Sequence, residues 1–283
     1  MSNPLISVTV AAYNNTDGWD SGQEVTESGK GHTDDYNNIT MLSHLINSVY
    51  TQTYKNVEIV ISDHSPNSSV KNLCDEWKDK VNIKYVKNEK NRGSCEANTN
   101  NALIHTSGKY IKTMAGQDDF LCRNDALEMM INHLETTGRR WIFTGCLHCQ
   151  ENETNNLFNP HPPMWPSENG PYTFKSMLSG NNLIGGESVM MFEKVDVLID
   201  PNLIYLMDLE FYYRLYKELG DPVLVNDMCA VSRIREDSIT SNMIFPELVE
   251  EEKNYINDKH FGELKNIEEY QNMYNRLKKC DLA

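Results

Sequence analysis

LISVTVAA, residues 5–12, is an unbroken β-rich apolar run that gives way to polar residues after Tyr13. A half-wet strand would alternate; a continuous run implies cover on both faces, as in a parallel sheet between helical layers. Working outward, residues 39–52 place Ile39, Leu42, Leu45, Ile46 and Val49 at helical spacing. VEIVIS at 57–62 is a second buried strand, ending at Asp63. The pattern predicts a helix over 68–78, a strand over 82–86 and a helix over 93–105. A strand over 109–114 then runs into Gly116-Gln117-Asp118-Asp119. A helix over 124–135 and a strand over 141–145 complete this half. Such alternation implies a doubly wound α/β sheet, whose ligands sit beyond the carboxyl ends of the strands. Asp63 and the Asp118-Asp119 pair both fall there.

The second half is less regular. Residues 149–170 are polar and proline-rich and read as one long loop. A short helix near 173–178, a strand over 188–192, an amphipathic helix over 206–219 and a strand pair over 223–234 follow. The tail, 247–279, reads as a charged amphipathic helix with Leu248, Tyr255 and Ile256 among its contact residues. Residues 14–38 lack apolar periodicity and form an insertion after the first strand, either a solvated loop or a flap over substrate.

Composition narrows the function. Lys and Arg number 26 against 41 Asp and Glu, a net charge of −15. That disfavours nucleic acid and anionic lipid, both of which need a basic surface. No apolar run approaches the ~18 residues of a membrane span, and 5–12 lacks the basic flank of a signal peptide. The expectation is a soluble, acidic, cytoplasmic protein. Seven scattered cysteines read as reduced thiols. Cys146-Leu147-His148-Cys149 has no second CxxC to complete a zinc site.

Adjacent carboxylates at a strand end repel, and a hard divalent cation resolves that repulsion. A solvated turn explains Asp118-Asp119 as simply. Asp208-Leu209-Glu210 opens a helix, where acidic residues also complement the dipole. In combination, PLISVTVAAYNN, INSVYTQTYKNVEIVISDHSPNSS, NRGSCEANTNNALIHTSGKYIKTMAGQDDFL, NNLIGGESVMMFEKV and MDLEFYYRLYKELG resemble, in order, the family 2 glycosyltransferases of the GT-A fold. The matches run from about residue 4 to 240. The resemblance implies a mainly parallel, mixed central sheet flanked by helices. The domain would span 1–245, its nucleotide-binding half at about 1–120 and its acceptor half at about 121–245, with a helical extension at 246–283.

Residue by residue, the resemblance implies that Asp63 bonds the base of a nucleoside-diphosphate sugar in a pocket lined by Ala11, Ala12 and Tyr13. Asn91, Arg92 and Gly93 would lie near base and phosphates. Gln117 and Asp118 would face the nucleotide, with Asp118 and Asp119 holding Mn²⁺ or Mg²⁺. Asp208 would be the general base of an inverting transfer to a saccharide or glycoconjugate. UDP is the default because it is the common nucleotide of the family. The chain departs from the family in having Gly116 where a further carboxylate is common. It also has Arg235, with Arg233 two residues earlier, where a His is common; arginine pairs with phosphate instead. A strand-end Asp63 is expected to contribute little to the core.

Weaker acceptor-side candidates are His161 and Trp165 in the long loop, and Glu187 after Gly185-Gly186. Each also reads simply: solvated loop residues for His161 and Glu187, a loop anchor for Trp165. Phe211-Tyr212-Tyr213 read as core. Two other classes compete: a sugar nucleotidyltransferase, whose Gly-rich basic loop is missing after Tyr13, and a non-catalytic nucleotide-sugar-binding domain. A dinucleotide dehydrogenase is excluded, because no GxGxxG follows the first strand. The C-terminal helices could pair two subunits.

Overall fold

The computed structural model describes residues 3–14, 33–91, 94–151, 153–235 and 246–262. Four parallel strands form the first half of the sheet: β1 (Ile6–Ala12), β2 (Val57–Asp63), β3 (Ile83–Lys87) and β4 (Tyr110–Met114), in spatial order β3-β2-β1-β4. Helices α1 (Thr33–Tyr50), α2 (Ser69–Trp77) and α3 (Cys95–Ile104) make the crossovers. A two-residue strand, β5 (Phe120–Leu121), and α4 (Ala126–Thr137) lead to β6 (Trp141–Gln150) and β7 (Phe158–His161). After α5 (Phe174–Leu178) come β8 (Met190–Glu193), α6 (Met207–Leu219), β9 (Val223–Ile234) and α7 (Pro246–Phe261). Strand β8 runs antiparallel between β4 and β6, so the sheet is mixed, as expected.

Side-chain alternation divides the core in two. Ile6, Val8 and Val10 of β1, Ile142 of β6 and Met191 of β8 pack with α1, α2 and α4. Ile111, Trp141, Phe143, Met190 and Phe192 pack on the other face with α5, α6 and α7. Phe211, Tyr212 and Tyr213 belong to this second core, as their helical positions imply. So do Tyr255 and Ile256 of α7. The apolar face of α7 is therefore used within the chain.

Three sequence expectations are corrected. Strand β6 continues to Gln150, because Cys146–Gln150 pair with Ala230–Ile234 of β9. The long loop contains β7, added to β6; Pro160 is tolerated there because an edge strand need not donate on both sides. The expected strand pair at 223–234 is one twelve-residue strand, whose register slips around Gly145. There the Met228 side chain occupies the space that a Cβ would need. Residues 15–32 of the insertion and 263–283 of the tail lie outside the described residues. The six cysteines described are free thiols. No helix among the described residues is long and apolar enough to cross a membrane.

Candidate active site

Register brings the candidate acids to one edge. Ala12 pairs with Asp63, Asp63 with Lys87, and Val10 with Met114, so β1, β2 and β4 end together. Ala12 is buried and Tyr13 is exposed. The Ala12 carbonyl accepts from His64 N and Asn98 Nδ2. Gln117 clamps the next residue through both amide atoms: Tyr13 N donates to its Oε1 at 2.9 Å, and its Nε2 donates to Tyr13 O at 2.7 Å. Its side chain is thus spent on joining the ends of β1 and β4. Asn91 has a left-handed backbone, with φ of 52°. Arg92 and Gly93 lie outside the described residues.

Asp63 differs from expectation. Its side chain is fully buried, and its carboxylate accepts from Ser65 N at 2.7 Å, Tyr85 OH at 2.7 Å and Lys87 Nζ at 3.0 Å. It joins β2, β3 and the following loop, so it is part of the fold's frame.

The turn after β4 is built by residues distant in sequence. Asp118 is partly exposed, and its carboxylate folds over Gly116 into the space where any Cβ would stand. Asp119 is buried and accepts from Ser188 Oγ. Burial and the neighbouring Asp118 charge push the Asp119 carboxyl up from its ordinary range. Ser188 Oγ also accepts from Ala115 N at 2.7 Å, and Thr113 Oγ1 donates to Glu187 O at 2.7 Å. These bonds staple the 187–188 turn onto β4.

Arg233 is buried and bonded on all three nitrogens. Its guanidinium donates to Asp118 O and Glu151 O and meets His44 Nδ1, each at 2.7 Å, and it lies over the Phe120 ring. It holds the backbone of the acidic turn. Arg235 is also buried, bonding Asn38 Oδ1 at 2.7 Å with Glu151 3.7 Å away.

Asp208 stands in the first turn of α6, partly exposed. Asn182 Nδ2 donates to its Oδ2 at 3.1 Å, and Leu209 N to its Oδ1 at 2.7 Å. The Asn182 Oδ1 accepts from Ile184 N and Gly185 N, which fixes the loop facing the acid. Burial pushes the Asp208 carboxyl up to about 7, with the Glu252 charge adding to the rise and the Leu209 N–H opposing it. Glu187 is buried with Oε1 unpartnered; burial and the Asp208 charge push it up to about 8. Glu187 faces Asp208 while Ser188 grips Asp119, so two consecutive residues link the acidic turn to the base candidate.

The remaining candidates separate. Trp165 packs edge-on to Trp141 and stacks on Phe143, with Phe174 and Tyr216 around it, so its contacts are those of a loop anchor. His161 pairs with Cys146 in β7, its Nε2 buried without a partner.

Sequence reasoning missed Asn182, Ser188 and Lys112. Lys112 is fully buried in β4, where its Nζ donates to Thr113 O at 2.8 Å and also meets Ser188 O. Burial drives it down to about 8. A lysine at the centre of a five-residue buried strand was the available signal. Among the described residues no group of three His, Cys, Asp or Glu side chains is arranged to hold a metal. The donor set is two carboxylates, which suits a hard cation that keeps waters and arrives with a diphosphate.

A glucosyltransferase of Campylobacter jejuni, named for transfer to GalNAc(5)-diNAcBac-PP-undecaprenol, is 26% identical over 125 residues, 44% of this chain and 40% of its own. An uncharacterized glycosyltransferase of Rickettsia prowazekii is 22% identical over 188 residues, 64% of this chain and 56% of its own. The chain thus spans about half the length of these two curated relatives. Among solved structures, S. aureus TarS 1–349 in complex with UDP-GlcNAc matches with a TM-score of 0.64 at 14% identity, over 96% of this chain and 70% of that one. A mannosyltransferase of Pyrobaculum calidifontis in complex with GDP-Man and Mn²⁺ matches with a TM-score of 0.52 at 14% identity, over 84% and 59%. The fold is that of the GT-A glycosyltransferases. The family described as "Glycosyl transferase family 2" matches over residues 36–198, more than half of the chain, and the chain belongs to that family.

Proposed function

We propose that the chain is an inverting glycosyltransferase that moves a sugar from a nucleoside-diphosphate donor, UDP-linked by default, to a hydroxyl of a saccharide or glycoconjugate. The observation that carries this reading is Asp208. It is a half-enclosed carboxylate whose proton affinity lies near neutrality, tied through Glu187 and Ser188 to the Asp118-Asp119 turn. A general base works best with a pKa near the working pH. In this reading Asp208 takes the proton of the acceptor hydroxyl as its oxygen attacks the anomeric carbon, and the nucleoside diphosphate leaves from the opposite face. Asn182 holds one Asp208 oxygen in place. Asp118 and Asp119 would hold Mn²⁺ or Mg²⁺; a divalent ion there supplies Lewis-acid stabilisation of the leaving diphosphate. Ser188 orients Asp119, and Arg233 fixes the Asp118 backbone. Cys95, first in α3, lies within electrostatic range of Glu187 and Asp118, so the amino end of α3 borders the same space. The buried, satisfied state of Asp63 leaves it a narrower role toward the base, through the lone pairs that Ser65, Tyr85 and Lys87 do not take.

The test begins with a thermal-shift screen of UDP-, GDP-, CDP- and dTDP-sugars with and without Mn²⁺, followed by calorimetry of the selected nucleotide. Wild type is expected to bind at least about tenfold more tightly with Mn²⁺, a difference of about 1.4 kcal/mol. Asp119→Asn should lose most of that gain and keep its metal-free affinity. Gly116→Ala should melt at the wild-type temperature, since the new methyl only turns the Asp118 side chain aside, yet lose metal-dependent affinity. No metal dependence in wild type overturns the assignment of Asp118 and Asp119. A nucleotide that binds but is never cleaved from its sugar favours the non-catalytic alternative.

A further inference from the structure

Helix α6 carries Asp208 but has no N-cap of its own, for Leu206 stands at the cap position and offers no oxygen. Backbone N–H groups at a helix entry need acceptors. Those of Ile204, Tyr205 and Leu206, in the turn that feeds α6, are all taken by one carboxylate from another helix. Glu252 of α7 accepts from Ile204 N at 2.6 Å, from Tyr205 N at 3.1 Å and from Leu206 N at 2.8 Å, using both oxygens. It is buried.

Helix α7 is held for this task at two further points. Tyr255 OH donates to Asp200 Oδ2 at 2.7 Å, and Asn202 Nδ2 donates to Tyr255 OH at 3.1 Å, which fixes the loop before the turn. Lys259 pairs with Asp200 and lies 2.6 Å from Glu210 Oε1, and His260 Nε2 meets the same oxygen at 3.0 Å. Glu210 is two residues beyond Asp208. The base candidate is thus bracketed by contacts from α7 on both sides of it.

We propose that Glu252 is a positioning residue for the general base: it fixes the turn that presents Asp208 and sets the charge at the amino end of its helix. The proposal rests on the reading of Asp208 as base. A helix amino end favours a bound negative charge and would hold Asp208 ionised and weakly basic. The Glu252 carboxylate opposes that field, and it is among the causes of the raised Asp208 proton affinity. The other groups facing Asp208 are Glu187 from the 187–188 turn, Tyr172 ahead of α5, and Tyr212 of α6. Asp200 faces Glu252 in turn. Neither tyrosine ionises near neutrality, and Glu187, pushed up to about 8, is largely protonated there, so Glu252 is the charge that adds to burial in raising the base.

The experiment is a titration of the Asp208 carboxyl carbon in ¹³C-aspartate-labelled protein, assigned with Asp208→Asn. Wild type is expected to titrate with a midpoint about 7. In Glu252→Gln the midpoint should fall by about half a pH unit, the size of one charge at a helix amino end. With a donor selected by the thermal screen, the acid limb of kcat/KM for nucleotide release should move the same way. In that variant kcat should drop several-fold, with donor KM within about twofold of wild type. Glu252→Asp keeps the charge and shortens the arm, so it should hold the midpoint and lower kcat. An unmoved Asp208 midpoint in folded Glu252→Gln overturns the proposal. If that variant does not fold, wild-type kcat in Glu252→Asp overturns it instead. Full turnover in Asp208→Asn would sink the base assignment, whatever the titration shows.

Discussion

Asp208→Asn is expected to abolish sugar transfer and to stabilise the fold. Loss of a general base typically lowers turnover by 10²–10⁴-fold, and asparagine cannot take the acceptor proton. Nucleotide affinity should stay within about threefold, well under the 1.4 kcal/mol of a tenfold change. The stability gain follows from the same burial that raises proton affinity. The folded carboxyl titrates at about 7, whereas the unfolded one titrates near ~4. Folding therefore favours the protonated form. The side chain carries no penalty below about pH 4, and the penalty grows as pH rises to the folded value, above which it is complete. The gap between these two values, at about 1.4 kcal/mol per pH unit, sets an upper bound of about 4 kcal/mol, less for a group with some solvent access. Asparagine has no such penalty and still accepts from Leu209 N, but its own Nδ2 then faces the Asn182 Nδ2 donor, a pH-independent cost that offsets part of the gain. The melting temperature of the variant relative to wild type should rise by roughly 5 °C between pH 4 and pH 8. A melting difference that does not change between pH 4 and pH 8, or transfer above about a tenth of wild type, would place the base elsewhere.

The strands that read most plainly were those that position the acids. β1 and β2 are continuous apolar runs because both faces are covered, and their ends at Ala12 and Asp63 lie at or within one residue of the expected boundary. The regions that misled have a different physical character. The Cys146–Gln150 half of β6 contains Cys, His and Gln, and its pairing with β9 is a partnership some eighty residues away that no local pattern announces. β7 holds a proline and reads as loop because an edge strand needs few of its donors. The site shows the same division. Asp118, Asp119 and Asp208 were legible as acids at element ends, a local property. Their supports were not: Ser188 reaches Asp119 across 69 residues, Arg233 reaches the Asp118 carbonyl across 115, and Glu252 reaches Leu206 across 46. Long-range polar contacts have no period and no spacing rule. Asp63 is the instructive case, since strand-end position suggested a ligand-facing group while tertiary contact made it structural as well.

That double role gives Asp63→Ala two expected effects instead of one. Removal of the carboxylate leaves Ser65 N, Tyr85 OH and Lys87 Nζ without their common acceptor. Lys87 keeps the Ser65 carbonyl and is 29% exposed, so the loss falls harder on the Ser65 and Tyr85 donors. Breaking a buried pair by removing one partner costs about 3–5 kcal/mol when the orphaned charge is sealed in. Partial access for Lys87 lowers the figure to about 2–4 kcal/mol, made up mainly of the stranded Ser65 and Tyr85 donors. Denaturant unfolding should show that loss. Asp63→Asn, which still accepts from Ser65 N, should recover about half of it. Nucleotide binding by the folded fraction then reports the second role separately. Loss of a direct hydrogen bond donated by the base to the carboxylate, about 1.5–3 kcal/mol, would weaken affinity roughly 10–100-fold in Asp63→Ala and less in Asp63→Asn, whose oxygen still accepts, at temperatures where both are folded. If folded Asp63→Ala binds nucleotide as wild type does while being destabilised, Asp63 acts on the base pocket only by bracing β2 against β3. The base would then be read by other groups at the ends of β1 and β2.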